Sequence, residues 1–153
     1  MAIRKILQYG DKILKTPCER VEKIDKDIKE LIKDMKDTLY NCDGIGLAAP
    51  QIGVLKRVIL IDLRNDSQPI ILINPEIVEA EGKELSIEGC LSYEGFEGEV
   101  VRPKKVKVKG ITPNNKEVVY TAEGLFAKAF CHEIDHLDGI MYVDKAKKIY
   151  KLE

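Results

Sequence analysis

Residues 44–51 read GIGLAAPQ, and the G-x-G-x-x-A spacing inside them poses the question on which the fold turns. A dinucleotide-binding turn of that spacing needs a strand entering the glycines and a helix leaving them, so that helix N–H groups face a pyrophosphate. The flanks run the other way. Upstream, Asp25 to Tyr40 carries Ile28, Leu31, Ile32, Met35 and Leu39 at helical spacing with charged residues between them, which predicts an amphipathic helix with Asp25 as N-cap. Downstream, RVILIDL (57–63) is a β-branched run that predicts a buried strand. Asp62 lies at a tempting distance past Gly44, but no helix fits between them, and the order helix, glycines, strand excludes the dinucleotide reading.

Further along, PIILINPEIV (69–78), VVRPKKVKVKGIT (100–112) and KEVVYTAEG (116–124) are strand-like segments separated by Pro, Gly and Asn turn signals. From about Leu125 to Asp138 the pattern is helical again, with Gly139 placed to close that helix as its C′ residue. The expected class is α+β: antiparallel or mixed sheets packed around a C-terminal helix, with an N-terminal amphipathic helix. At 153 residues, 44% hydrophobic and 33% charged, the chain reads as one domain over 1–153. Its 25 basic and 26 acidic residues leave a net charge of −1, so no global field draws it to nucleic acid or an anionic membrane. KKVKVK and KAKKIYK read as a solvated strand face and a frayed tail. No apolar run approaches membrane-spanning length, and charge interrupts MAIRKILQYGDK too soon for a secretory signal, so a cytoplasmic location is expected. Cys18, Cys42, Cys90 and Cys131 are too few for a disulfide scaffold and are expected to be reduced.

The strongest chemical signal is HEIDH (132–136). His132 and His136, the only histidines, stand four apart and so project from one helix face toward one ion. At about 100° per residue, Leu125 and Ala129 extend the histidine stripe as an apolar surface on which a substrate side chain can rest, while Phe126, Phe130 and Leu137 form a separate stripe toward the core. A third ligand is needed. Position 142 is Tyr where a metzincin carries its third histidine, and only 17 residues follow His136, too few for a helix that returns a glutamate. The ligand therefore comes from upstream, where thiolate is a preferred partner of two histidines. Cys131 points about 100° away from His132. Cys90, in EGCLS (88–92), follows a glycine that permits close backbone approach. Spacing alone prefers it among the four without settling the choice.

GIGLAAPQ, EGCLS and HEIDH, in this order and at these separations, resemble the three motifs of peptide deformylase, and the resemblance runs from IRKILQYGDKIL through INPEIV and VVRP to HLDG. It implies Cys90, His132 and His136 as ligands of one divalent metal, iron(II) in the cell, with zinc, nickel or cobalt in preparations. It implies removal of the formyl group from the initiator methionine of new polypeptides, with Glu133 as general base and acid toward a metal-activated water. Gln51 and the Leu91 backbone N–H would meet the developing oxyanion, Ile45 and Gly46 would pair with the peptide main chain, and a tight wall at Gly46 and Gly89 would reject acetyl. Leu125 and Ala129 would take the methionine side chain. Tyr93, Glu94 and Gly95 depart from the aliphatic–proline sequence many relatives carry there, and Lys128 stands where an apolar pocket residue is common. The chain stops at Glu153, without the longer C-terminal helix by which some relatives dock on ribosomes, so a ribosome contact is left open. Two competing readings are a zinc peptidase using the same motif and a closed structural site of two histidines and two cysteines.

Overall fold

The computed structural model describes residues 2–152. Helix α1 (Lys26–Tyr40) forms where the spacing predicts: the Asp25 carboxylate accepts the Ile28 N–H at 3.1 Å, and Ile28, Leu31, Ile32, Met35 and Leu39 are all buried. Burial of such side chains contributes about 1.5–3 kcal/mol each and outweighs the marginal propensity of a helix this short.

Strand β2 (Val58–Ile61) is buried along its whole length and pairs antiparallel with β1 (Gly46–Ala48) on one side and β3 (Ile70–Glu81) on the other. The two-residue period of the strand decides what each side chain meets. Val58 and Leu60 join the apolar cluster under α1, whereas Ile59 and Ile61 join the cluster under α2 (Gly124–Leu137). The sheet is thereby held between the two helices. It continues through β6 (Lys105–Ile111) and β7 (Glu117–Glu123) in the order β1-β2-β3-β6-β7, antiparallel throughout. Lys107 and Lys109 of β6 meet Glu79 and Glu76 of β3 at 3.1 and 3.9 Å, so KKVKVK is a charge-compensated strand face.

A second antiparallel sheet has the order β4-β5-β8, from β4 (Glu84–Cys90), β5 (Tyr93–Arg102) and β8 (Lys148–Lys151), with the short helix α3 (Tyr142–Lys145) leading into β8. It corrects two expectations. The segment 100–112 is not one strand: β5 ends at Arg102 and β6 begins at Lys105 in the other sheet, because Pro103 has no N–H to donate to a ladder. Nor is the basic tail frayed, since Lys148 to Lys151 pair with Glu99 to Phe96. Glu153 lies outside the described residues. Gly139 follows α2 with φ 76°, as the C′ position requires, and a Cβ there would lie 2.6 Å from the Lys15 carbonyl oxygen. Among the described residues no helix is long and apolar enough to cross a membrane.

Candidate active site

Each sheet ends in a strand with one unpaired edge, β1 in the first and β4 in the second, and a cavity of about 460 Å³ opens between those edges. Ile45 and Gly46 stand on one wall, Ile87 to Cys90 on the other, and α2 supplies Leu125, Ala129, His132 and Glu133. The helical twist sorts α2 as its spacing predicts: Phe130 and Leu137 are fully buried in the core, and Phe126 packs against it. Antiparallel pairing sorts β1 in the same way. Ile45 turns its C=O to the Asp62 N–H at 2.8 Å, so the next residue, Gly46, turns its own N–H and C=O toward the open edge.

Cys90 is the last residue of β4, at the tight turn through Leu91 and Ser92 into β5. Its Sγ lies 3.3 Å from Nε2 of His136, and the ligating atoms of Cys90, His132 and His136 all fall within 4.8 Å of one another. Nδ1 of His132 is 2.9 Å from Oε1 of Glu88, which leaves Nε2 for an ion. A tetrahedral ion with bonds of about 2.0–2.3 Å spaces its donors about 3.3–3.8 Å apart, so the three fit one ion after small adjustments. Burial, and then the neighbouring His132, hold His136 well below the usual imidazole range. Burial opposes charge on His132 too, but its contacts with Cys90 and Glu88 raise it well above that range. His136 is thus held as the neutral imidazole that a metal ion requires.

Glu133 is 4% exposed, and its Oε1 has no hydrogen-bond partner among the described residues. Burial pushes its carboxyl up to about 7. Gly46 is what admits it: a Cβ on Gly46 would stand 2.5 Å from Oε2 of Glu133. Gly89 is different, being exposed, with the nearest atom to an added Cβ at an ordinary 3.5 Å, so no tight wall stands there. The Gln51 side chain, 1% exposed, accepts the Ala48 N–H at 2.9 Å through Oε1, while Nε2 faces Ser92 Oγ at 3.0 Å and Cys90 Sγ at 3.6 Å. Its backbone C=O takes the Leu7 N–H at 2.8 Å. Nε2 of Gln8 donates to the Leu91 C=O at 3.0 Å, and the Tyr9 N–H to that of Ser92 at 2.7 Å, so residues 7 to 9 strap both loops. Lys128, at the position where an apolar pocket residue is common, is tied down at the rim: its Nζ meets Oε1 of Glu84 at 3.2 Å and the Leu85 C=O at 3.4 Å. Tyr93 stacks on Phe96 with centroids 4.4 Å apart and meets Tyr9 at 4.6 Å, building an aromatic rim.

Sequence reasoning missed the residues behind this site. Arg102, 2% exposed, grips both carboxylate oxygens of Glu88 at 2.7 and 2.8 Å and reaches Asp135 of α2 at 2.6 Å. Burial alone would raise the Glu88 carboxyl, but Arg102 and His132 hold it well below the usual carboxylate range. The available signal was alternation: Val100 and Arg102 share the inward face of β5, so the arginine occupies a core position and demands partners. The closed site of two histidines and two cysteines is not formed, because among the described residues no second thiol joins the cluster. Cys18 and Cys131 lie in the core, where burial pushes both thiols up to about 11.

The family profile described as polypeptide deformylase matches residues 3–151. Peptide deformylase 1 of Clostridium acetobutylicum is 53% identical over 145 residues, covering 95% of each chain. Among solved structures, a peptide deformylase from Legionella pneumophila superposes with a TM-score of 0.92 at 44% identity, over 95% of this chain and 87% of that one. That from Thermotoga maritima gives 0.92 at 37% identity, over 97% and 100%.

Proposed function

The chain belongs to the polypeptide deformylase family, metal-dependent enzymes that remove N-formyl groups from nascent peptides, and from that premise we propose how its residues divide the reaction. Cys90, His132 and His136 hold one divalent ion, which we assign as iron(II) in the cell; zinc, nickel and cobalt suit the same mixed sulfur and nitrogen donors. When bound, the ion polarises the formyl carbonyl and brings the pKa of a coordinated water to about 7.

The peptide lies extended against the open edge of β1, where the Gly46 N–H and C=O pair with its main chain and Ile45 packs beside it. The methionine side chain rests on Leu125 and Ala129. As water attacks the formyl carbon, the Gln51 Nε2–H and the Leu91 N–H meet the charge building on oxygen, each contributing about 2.7–4 kcal/mol when aimed at the transition state. Glu133 takes the water's proton and returns it to the departing amine, whereupon formate leaves. The close packing of Gly46 on Glu133 leaves no room for the extra methyl of an acetyl group; Gly89 contributes an open backbone rather than a barrier. The whole chain acts as a single metallohydrolase domain in the cytoplasm, where formylated chains emerge.

The observation that carries this reading is the convergence of a thiol, an imidazole and a buried carboxylate on one cavity between two open strand edges, with a second imidazole directly behind them. The test is formate release from formyl-Met-Ala by enzyme prepared without oxygen, compared with acetyl-Met-Ala. Turnover of the formyl peptide alone is expected, with Glu133→Ala keeping its metal and losing most activity. Equal cleavage of unformylated peptides would point to a peptidase instead.

A further inference from the structure

Gln51 is a flexible side chain asked to hold a donor in place, and its surroundings show how that is done. Its carboxamide is planar, with one acceptor and two N–H groups in fixed relation. The Ala48 N–H engages Oε1 at 2.9 Å, which decides the flip of the amide. Ser92 Oγ, 0% exposed, lies 3.0 Å from Nε2 and takes one N–H. With the carbonyl and one N–H anchored, the direction of the other N–H is set by the plane of the group. Cys90 Sγ, 3.6 Å from Nε2, marks that direction as the side of the cavity where the ligands meet. Ser92 is itself immobilised through its main chain: its C=O accepts the Tyr9 N–H at 2.7 Å, and its N–H faces Cys90 Sγ at 3.4 Å.

We infer that Ser92 is a positioning residue of the reaction, pinning one N–H of Gln51 so that the other faces the carbonyl oxygen under attack. The inference rests on the reading of Gln51 given above. A hydroxyl is required because the anchor must accept a hydrogen bond inside a space closed to water, and a backbone carbonyl cannot be turned there without unmaking the β4–β5 turn. The contact between residue 92 and Cys90 runs through the main-chain N–H, so Ser92→Ala leaves it intact; Gln51 also meets Cys90 Sγ at 3.6 Å, so metal content and the cobalt spectrum are what separate an effect on Gln51 from one on metal binding.

The experiment is a double-mutant cycle of Ser92→Ala and Gln51→Ala in the cobalt-loaded enzyme, following kcat, KM, metal content and the cobalt absorption spectrum. Expected for Ser92→Ala are a kcat lower by about tenfold, less than the roughly 10²–10³-fold loss when a donor is removed outright, an unchanged KM and an unchanged spectrum. The double variant should then be no slower than Gln51→Ala alone. Wild-type kcat in Ser92→Ala, losses that multiply in the double variant, or loss of metal from Ser92→Ala would each overturn the inference. A Gln51→Ala enzyme of wild-type rate would fail the Gln51 reading itself, a pattern distinct from all of these. Ser92→Ala removes one oxygen from a buried turn, and coincident melting curves of the four proteins establish that the comparison is between folded enzymes.

Discussion

A methyl group on Gly46 would come to 2.5 Å of the Glu133 carboxylate, so Gly46→Ala must displace the group proposed to carry the proton. Formate release is expected to fall by about 10²-fold, the scale of a 1 Å misplacement, with metal content retained; an alanine variant of normal rate would show that Glu133 works from another position. Tyr142 invites the opposite experiment. Its hydroxyl is buried with no partner among the described residues, beside a ring that packs 6.1 Å from His132. An unsatisfied hydroxyl costs about 1–3 kcal/mol, so Tyr142→Phe is expected to melt no lower than the wild type and about 1 kcal/mol higher in stability, read by urea unfolding. For Glu88 the sign follows from its lowered pKa. Its stabilising contribution is complete above the unfolded value of about 4.3 and is lost progressively as pH falls from there through the depressed folded value. Acid unfolding followed by circular dichroism should therefore begin below about pH 4.

Arg102 links β5 to β4 through Glu88 and to α2 through Asp135, so it joins the element that carries the thiol to the element that carries both imidazoles. Arg102→Leu leaves the buried Glu88 carboxylate with His132 alone and the half-buried Asp135 with Lys145 alone, and a loss of about 3–5 kcal/mol is expected in urea unfolding; Glu88→Gln should weaken metal retention by about 10–100-fold, measured by competition with a chelator. The elements themselves were unevenly legible. Helices α1 and α2, with their caps, can be read from apolar spacing and from Asp25 and Gly139, because those signals are local. Strand β2 announces itself by four consecutive buried residues. Strands β4 and β8 do not: GKELSIEGC and KKIYK carry charge and mark their inward face with Ser86, Glu88 or nothing at all, and only pairing with β5 makes them strands. The motif residues were legible as donors of chemistry, whereas Arg102 and Ser92 were not, since their partners lie 14 and 41 positions away.

Across the whole molecule the four cysteines report on different layers. Burial holds Cys18 and Cys131 as neutral thiols up to about 11, so these two sites lose stability as pH rises from about 8.5 toward that value. Iodoacetamide at pH 8 is expected to label the half-buried Cys42 in the loaded enzyme, Cys90 as well once metal is removed, and Cys18 and Cys131 only after unfolding, as peptide mass mapping would read. Rapid labelling of Cys131 in the native protein would contradict the packing of α2. The wall formed by Gly46 against Glu133 bears on how this chain could answer a competitor lodged in the cleft. Thickening that wall to expel the intruder also evicts the proton carrier, so selection is barred from the surface such a compound leans on hardest. Escape variants should instead collect at Lys128 and Tyr93, which border the cavity and transfer no proton, and a compound shaped to touch neither leaves the fewest exits.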